Sequence, residues 1–187
     1  MKTGGGHDGR RSDEELIRAI EAGDSEGFDA LYYRYRDWVV GLAHRFTGNA
    51  DDALDVLQET FSYLIRKFPG FVLTARMTTF LYPVVKNLSL AARRKRGRFA
   101  GDEEVLLQLP AAPGEDPRRW RGELAQVMSA LPGTHREVVL MRFVDGMSLE
   151  EIGEALGIPL GTVKSRMHNA LNTLRGDERT RNYFLGQ

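Results

Sequence analysis

One stretch, SLEEIGEALGIPLGTVKSRMHNAL at residues 148–171, constrains the fold of this chain more than any other. Ser148 and Glu151 have the spacing of a capping box, in which the serine oxygen accepts a first-turn amide and the glutamate reaches back to the serine N–H. A helix therefore starts there, with Leu149, Ile152, Ala155 and Leu156 on one face. Gly157 can take the left-handed conformation that ends it, and Pro159 forbids continuation. A second helix is expected from Gly161 or Thr162, with Val163, Met167, Ala170, Leu171 and Leu174 on its inner stripe. Lys164, Ser165, His168, Asn169 and Asn172 form the outer face. This is the pattern of a helix-turn-helix, whose second helix lies in the DNA major groove with hydrogen-bonding side chains at base edges. An ordinary helical hairpin with a solvated face would share the apolar pattern. It would have no need of the cap, the glycine, the short turn and the polar front together.

The formal net charge is zero, which suits a DNA-binding chain poorly until the charges are placed along it. Between residues 12 and 60 there are twelve acids and four arginines; between residues 61 and 98 there are nine bases and no acid. Solvated faces usually intersperse both signs, so the second segment is suited to meeting phosphate. It also interleaves Phe61, Tyr63, Phe68, Phe71, Phe80, Tyr82 and Phe99 with its bases. Rings beside arginines are what unpaired bases stack on, although Phe61, Leu64, Ile65 and Phe68 also fit a core stripe. Rings between Phe68 and Phe80, where Pro69 and Gly70 break the helix, are the ones placed to reach a base.

The chain has no cysteine, which excludes disulfides, thiol nucleophiles and cysteine–zinc sites. His7, His44, His135 and His168 lack metal-ligand spacing. No apolar run approaches the roughly 20 residues of a membrane span, and the first residues lack a secretory segment, so a cytoplasmic location is expected. No cofactor or small-molecule substrate is implied.

The periodicity predicts an all-α fold of two small helical domains joined by a flexible linker. The boundaries are a tail at 1–11, a first domain at 12–98, a linker at 99–122, a second domain at 123–175 and a tail at 176–187. Ser12 with Glu15 caps a helix ending near Gly23. Asp24 or Ser25 opens one reaching Thr47, stopped by Gly48-Asn49, and a third runs from Ala50 to Phe68 with Asp51 and Asp52 in its first turn. A fourth runs from Thr78 to Arg96, with a kink or later start at Pro83. In the linker Pro110, Pro113, Gly114 and Pro117 accumulate. A helix from Arg118 to Leu131 and one capped by Thr134 and Glu137, to about Val144, precede the helix-turn-helix.

Three stretches resemble bacterial RNA polymerase sigma factors of the sigma-70 family, in the short extracytoplasmic-function (ECF) form that keeps only domains two and four. They are Phe28-Asp29-Ala30-Leu31-Tyr32 through Arg34; DDALDVLQETF at residues 51–61; and Leu131-Pro132 through Arg136-Glu137-Val138-Val139-Leu140, with Gly161-Thr162-Val163-Lys164-Ser165-Arg166. The resemblance implies that Asp55, Gln58 and Glu59 bind the coiled coil of the largest subunit of core RNA polymerase. It implies that the loop at 68–78 and the helix after it recognise and help melt the minus-ten promoter element. The contact candidates there are Arg76, Phe80, Lys86, Asn87, Arg93, Arg94, Lys95 and Arg96. Lys164, Ser165, His168 and Asn169 would face the minus-thirty-five element, with Thr162 and Arg166 toward phosphates. The chain departs from the family pattern at Phe80, usually tryptophan, at Pro83, and at Asn169 and Leu171, commonly arginine, so the upstream contact is expected to be weak. Asp102, Glu103 and Glu104 resemble an acidic segment that enters the polymerase cleft. An anti-sigma partner often accompanies such proteins.

In this reading the protein does no chemistry: no nucleophile–base pair or metal site is visible, and the acids at 51–59 suit helix N-terminal charge and docking better than catalysis. The alternative is a free-standing helix-turn-helix regulator. Such a regulator has no reason to carry residues 51–61 followed by a basic helix.

Overall fold

The computed structural model describes residues 11–97 and 128–176, which form seven α-helices and no strand. They are α1 (Asp13–Glu21), α2 (Ser25–Thr47), α3 (Ala50–Ile65), α4 (Met77–Lys95), α5 (Gly133–Phe143), α6 (Leu149–Leu156) and α7 (Leu160–Gly176). The linker at 99–122, most of both tails, the helix expected from Arg118 as far as residue 127, and Arg98, Phe99, Asp102, Glu103 and Glu104 lie outside the described residues; Met128 and Ser129, near that helix's expected end, are helical.

The caps form largely where the sequence places them. Ser12 and Glu15 make a reciprocal box on α1, Asp24 caps α2, and Gly48 ends α2 at φ 67°. Asn49 then caps α3 by accepting the Asp52 N–H. The apolar stripes of α2, α3 and α4 meet in a core that includes Leu31, Val39, Leu42, Phe46, Val56, Leu64, Leu81 and Val85. In the C-terminal half α5 and α6 pack on α7 around Val138, Met141, Met147, Ile152, Val163 and Ala170. Arg136, itself buried, fastens the preceding turn by donating to the carbonyls of Met128 and Leu131 at 2.7 and 2.9 Å. The two halves are not separate bodies. Helix α4 packs against α6, and the buried residues of both halves form one continuous cluster.

Three local expectations change. Helix α3 stops at Ile65 rather than Phe68, with Arg66 as its cap. Helix α4 runs uninterrupted from Met77 through Pro83, with no later start. Packing on both sides of α4 outweighs the one backbone hydrogen bond the proline removes. Thr134 and Glu137 form no capping box, because α5 begins at Gly133 after Pro132 without a side-chain cap, and the Glu137 carboxylate turns inward to Tyr82 and Lys86.

The helix-turn-helix forms as the sequence implies. Ser148 and Glu151 cap α6 reciprocally, Gly157 sits at φ 64°, and α7 starts one residue early at Leu160. One close approach was not anticipated. A Cβ on Gly153 would lie 3.0 Å from the Ile158 carbonyl oxygen, in a turn already pinned by the Ile158 N–H donating to the Gly153 carbonyl at 2.9 Å. Alanine's advantage over glycine in a helix, about 1 kcal/mol, is therefore expected to be cancelled in Gly153→Ala. Gly153→Val should lose about 1–3 kcal/mol in a urea melt.

Candidate nucleic-acid interface

The loop at 66–76 and the front of α4 enclose one wall of an open cleft of about 780 Å³; α3 supplies the other. Tyr63, Arg66, Val72, Phe80, Pro83 and Asn87 are among its lining residues, and Glu59 reaches it from α3. Its aromatic wall is built by stacking. The Phe80 ring lies 5.0 Å from Phe71 and 6.3 Å from Tyr63, and Lys67 Nζ sits 4.7 Å over the Tyr63 ring. Phe80 is half-buried by these neighbours, so it presents an edge of a packed cluster rather than a free ring.

Arg94 and Lys95 are exposed, as is the amide of Asn87, and Arg93 is half-buried. Three other bases of the segment sit beside acids. Arg76 Nη1 lies 3.4 Å from Glu151, Lys86 Nζ lies 2.5 Å from Glu137, and Arg96 Nε lies 2.7 Å from a buried Asp52 carboxylate. Asp52, expected only as first-turn charge, thus ties the start of α3 to the end of α4.

On α3, Asp55, Gln58 and Glu59 stand exposed beside an exposed Leu54, while Val56, Leu57 and Phe61 face inward. On α7, Lys164, Ser165, His168 and Asn169 share one exposed face, with Thr162 and Arg166 half-buried at its flanks. Two of these groups already have local partners. Ser165 Oγ donates to the Thr162 carbonyl at 3.0 Å, and His168 Nε2 lies 2.9 Å from Asn172 Nδ2.

Residues 31–99 match the Sigma-70 region 2 model, and residues 127–176 match Sigma-70, region 4. The chain is 30% identical over 176 residues to the ECF RNA polymerase sigma factor SigW of Bacillus subtilis, covering 87% of this chain and 94% of the relative. The chain belongs to the ECF sigma factors. It is also 34% identical over 156 residues to the ECF sigma factor SigE of Mycolicibacterium smegmatis, spanning 79% of this sigma factor and 60% of that one. In fold it is similar to CnrH, solved in complex with the cytosolic domain of CnrY, at TM-score 0.62 and 22% identity over 86% of this chain and 93% of that one. It is similar also to RpoE of Bartonella quintana, solved with the anti-sigma factor NepR, at TM-score 0.61 and 21% identity over 82% and 99%.

Sequence reasoning missed a second set of polar residues, which joins the two halves of the sigma factor. Asp145, in the turn after α5, accepts from Arg45 Nη2 at 2.6 and 2.7 Å and from Trp38 Nε1 at 3.0 Å. The Arg45 and Asp145 side chains are only 3% and 2% exposed. Burial pushes the Asp145 carboxyl above its ordinary pKa, against the opposing pull of Arg45 and Trp38. Nearby, the Tyr82 hydroxyl donates to Glu137 at 2.9 Å, and burial, then the Glu137 charge, raises the phenol well above its usual range. The partners are 100 residues apart in sequence, so no local spacing could reveal them. The one available signal was a charge, Arg45, placed among Leu42, Ala43 and Phe46 on a buried stripe.

Proposed function

We propose that this ECF sigma factor directs core RNA polymerase to its promoters through three surfaces: Asp55, Gln58 and Glu59 on α3, the cleft and basic end of α4, and the exposed front of α7. The observation that carries the reading is the cleft. The acid-free segment of the sequence folds into a loop and helix whose aromatic and amide groups line a hollow together with Arg66, and the helix ends in Arg93, Arg94 and Lys95. Unpaired bases of the minus-ten element enter that hollow while the cations hold the backbone. Lys164, Ser165, His168 and Asn169 read the minus-thirty-five duplex, with Thr162 and Arg166 toward phosphate; Arg76, Phe80, Lys86, Asn87 and Arg96 complete the downstream set. The sigma factor lowers the free energy of the promoter complex, and the polymerase performs the chemistry. It works in the cytoplasm, where its template is, and an anti-sigma protein of the kind seen with RpoE of Bartonella quintana is its inhibitor.

Reconstitution with core polymerase tests this: specific initiation from promoters mapped after overexpression is expected. Duplex binding without association with core would leave a free-standing regulator instead. Asp55→Ala with Glu59→Ala should weaken association with core while leaving the circular dichroism spectrum intact, since both residues are exposed. Lys164→Ala with His168→Ala should change promoter choice by roughly 1–3 kcal/mol per lost base contact. A uniform loss on every promoter would assign both to phosphate.

A further inference from the structure

Glu21 is the last residue of α1, where a carboxylate meets the negative end of the helix dipole and is locally unfavourable. Its partners lie far along the chain. Glu21 Oε1 accepts the Gly70 N–H at 2.7 Å and the Phe71 N–H at 3.0 Å, so two successive amides converge on one oxygen. Gly70 sits at φ 92°, a left-handed value that glycine takes without strain, and consecutive N–H groups in such a turn make a small anion-binding concavity. Here the anion is the protein's own side chain.

The loop that carries these amides has little else to hold it. Residues 69–75 make no other hydrogen bond among the described residues. Packing acts from one side only: the Phe71 ring lies 5.4 Å from Phe68 and 5.0 Å from Phe80, and Leu73 rests on the core. Between these two inward residues Val72 is 76% exposed, and with Thr74 and Ala75 it lines the cleft. The two bonds from α1 therefore fix the backbone directly before the residues that face the cleft.

We propose that Glu21 is a positioning residue for promoter recognition, which holds the loop at 69–75 in the shape that forms one wall of the cleft. The inference rests on the assignment of that cleft to the minus-ten element. It deepens that reading by making discrimination at the element depend on a side chain of α1 that has no contact with DNA. A loosened loop lets the wall adjust to a wrong base as readily as to the right one, so its loss falls on specificity and not on binding of the polymerase.

Two readouts on the full-length protein test this. Amide hydrogen exchange followed by NMR reports the bonds. The Gly70 and Phe71 N–H groups should be protected in the wild type and in Glu21→Gln, whose side-chain carbonyl oxygen can accept both, and should exchange about tenfold or more faster in Glu21→Ala. First-round initiation by the reconstituted holoenzyme reports function, on the cognate promoter against derivatives with single substitutions in the minus-ten or the minus-thirty-five element. Glu21→Ala should lose about fivefold or more of the wild-type discrimination at minus-ten and none at minus-thirty-five, a split that a general loss of folded protein would not produce. Glu21→Gln should keep the wild-type discrimination within about twofold, which separates the hydrogen bonds from the removal of a charge near DNA. Glu21→Asp, shorter by a methylene and unable to reach the loop, should act in the same direction as alanine and carries the test if the alanine variant loses its helical circular dichroism. Unprotected amides in the wild type would overturn the clamp. Faster exchange in Glu21→Ala with minus-ten discrimination unchanged would overturn the positioning role. Equal losses in the alanine and glutamine variants, with both amides still protected in the latter, would assign the effect to charge and overturn it too. A wild-type holoenzyme that initiates from no promoter would overturn the reading of the cleft while the exchange data still showed the clamp, so the two failures are distinguishable.

Discussion

Arg45→Met is expected to destabilise the protein by about 3–5 kcal/mol at neutral pH, the cost of leaving a buried carboxylate without its partner. The basis is the near-complete burial of Asp145 and the two short bonds it receives from Arg45. Trp38 alone then faces that charge. The sign of the pH dependence follows from the raised carboxyl pKa. Removing Arg45 raises it further, so the folded variant binds a proton that the unfolded chain gives up, and its stability rises as pH falls through the raised value toward the ordinary carboxylate range. The deficit against wild type is therefore largest at neutral pH and shrinks on acidification. Urea melts at several pH values measure this, and a loss below about 1 kcal/mol at neutral pH would mean that water reaches Asp145 in the variant. Arg45→Met with Asp145→Leu should behave differently. Nε and Nη1 of Arg45 have no hydrogen-bond partner among the described residues, so the pair is imperfectly satisfied. Replacing both members should recover most of the loss.

Tyr82→Ala is the second large effect, at about 3–5 kcal/mol for deleting a buried aromatic ring. The ring is 1% exposed and meets Phe46 edge-on at 6.3 Å, inside the N-terminal core, while its hydroxyl leaves that core to reach Glu137. Tyr82→Phe separates the two contributions. It keeps the ring and removes one bond to a charged acceptor, for about 1.5–3 kcal/mol. Thermal unfolding of the two variants side by side should show the phenylalanine variant losing roughly half as much stability as the alanine variant. Equal losses would place the hydroxyl, rather than the ring, at the centre of this contact.

The elements whose information is local were legible in the sequence. Ser12 with Glu15 and Ser148 with Glu151 cap helices where their spacing says, and Gly48 and Gly157 end them in the left-handed conformation. The α7 stripe of Val163, Met167 and Ala170 is buried as its period requires. Misreadings arose where a distant partner outbid a local rule. Glu137 has the spacing of a capping residue for Thr134, yet a tyrosine and a lysine from α4 claim its carboxylate. Pro83 has the chemistry of a helix break, yet α4 is held on both sides and continues. Arg76, Lys86 and Arg96 read from sequence as cations awaiting phosphate, but each sits beside a carboxylate drawn from another element. Charge pattern therefore located the basic surface correctly along the chain, and tertiary pairing decided how much of it stands uncommitted.

The span of 100 residues between Arg45 and Asp145 also has a meaning in time. At roughly 5–20 residues per second, the ribosome needs on the order of 5–20 s to reach Asp145 after it has added Arg45. During that interval the N-terminal half has its own helices and apolar stripes but neither Glu137 nor Glu151 to cover its cations. The N-terminal half thus gains its buried carboxylate partners only as the last third of the chain is made.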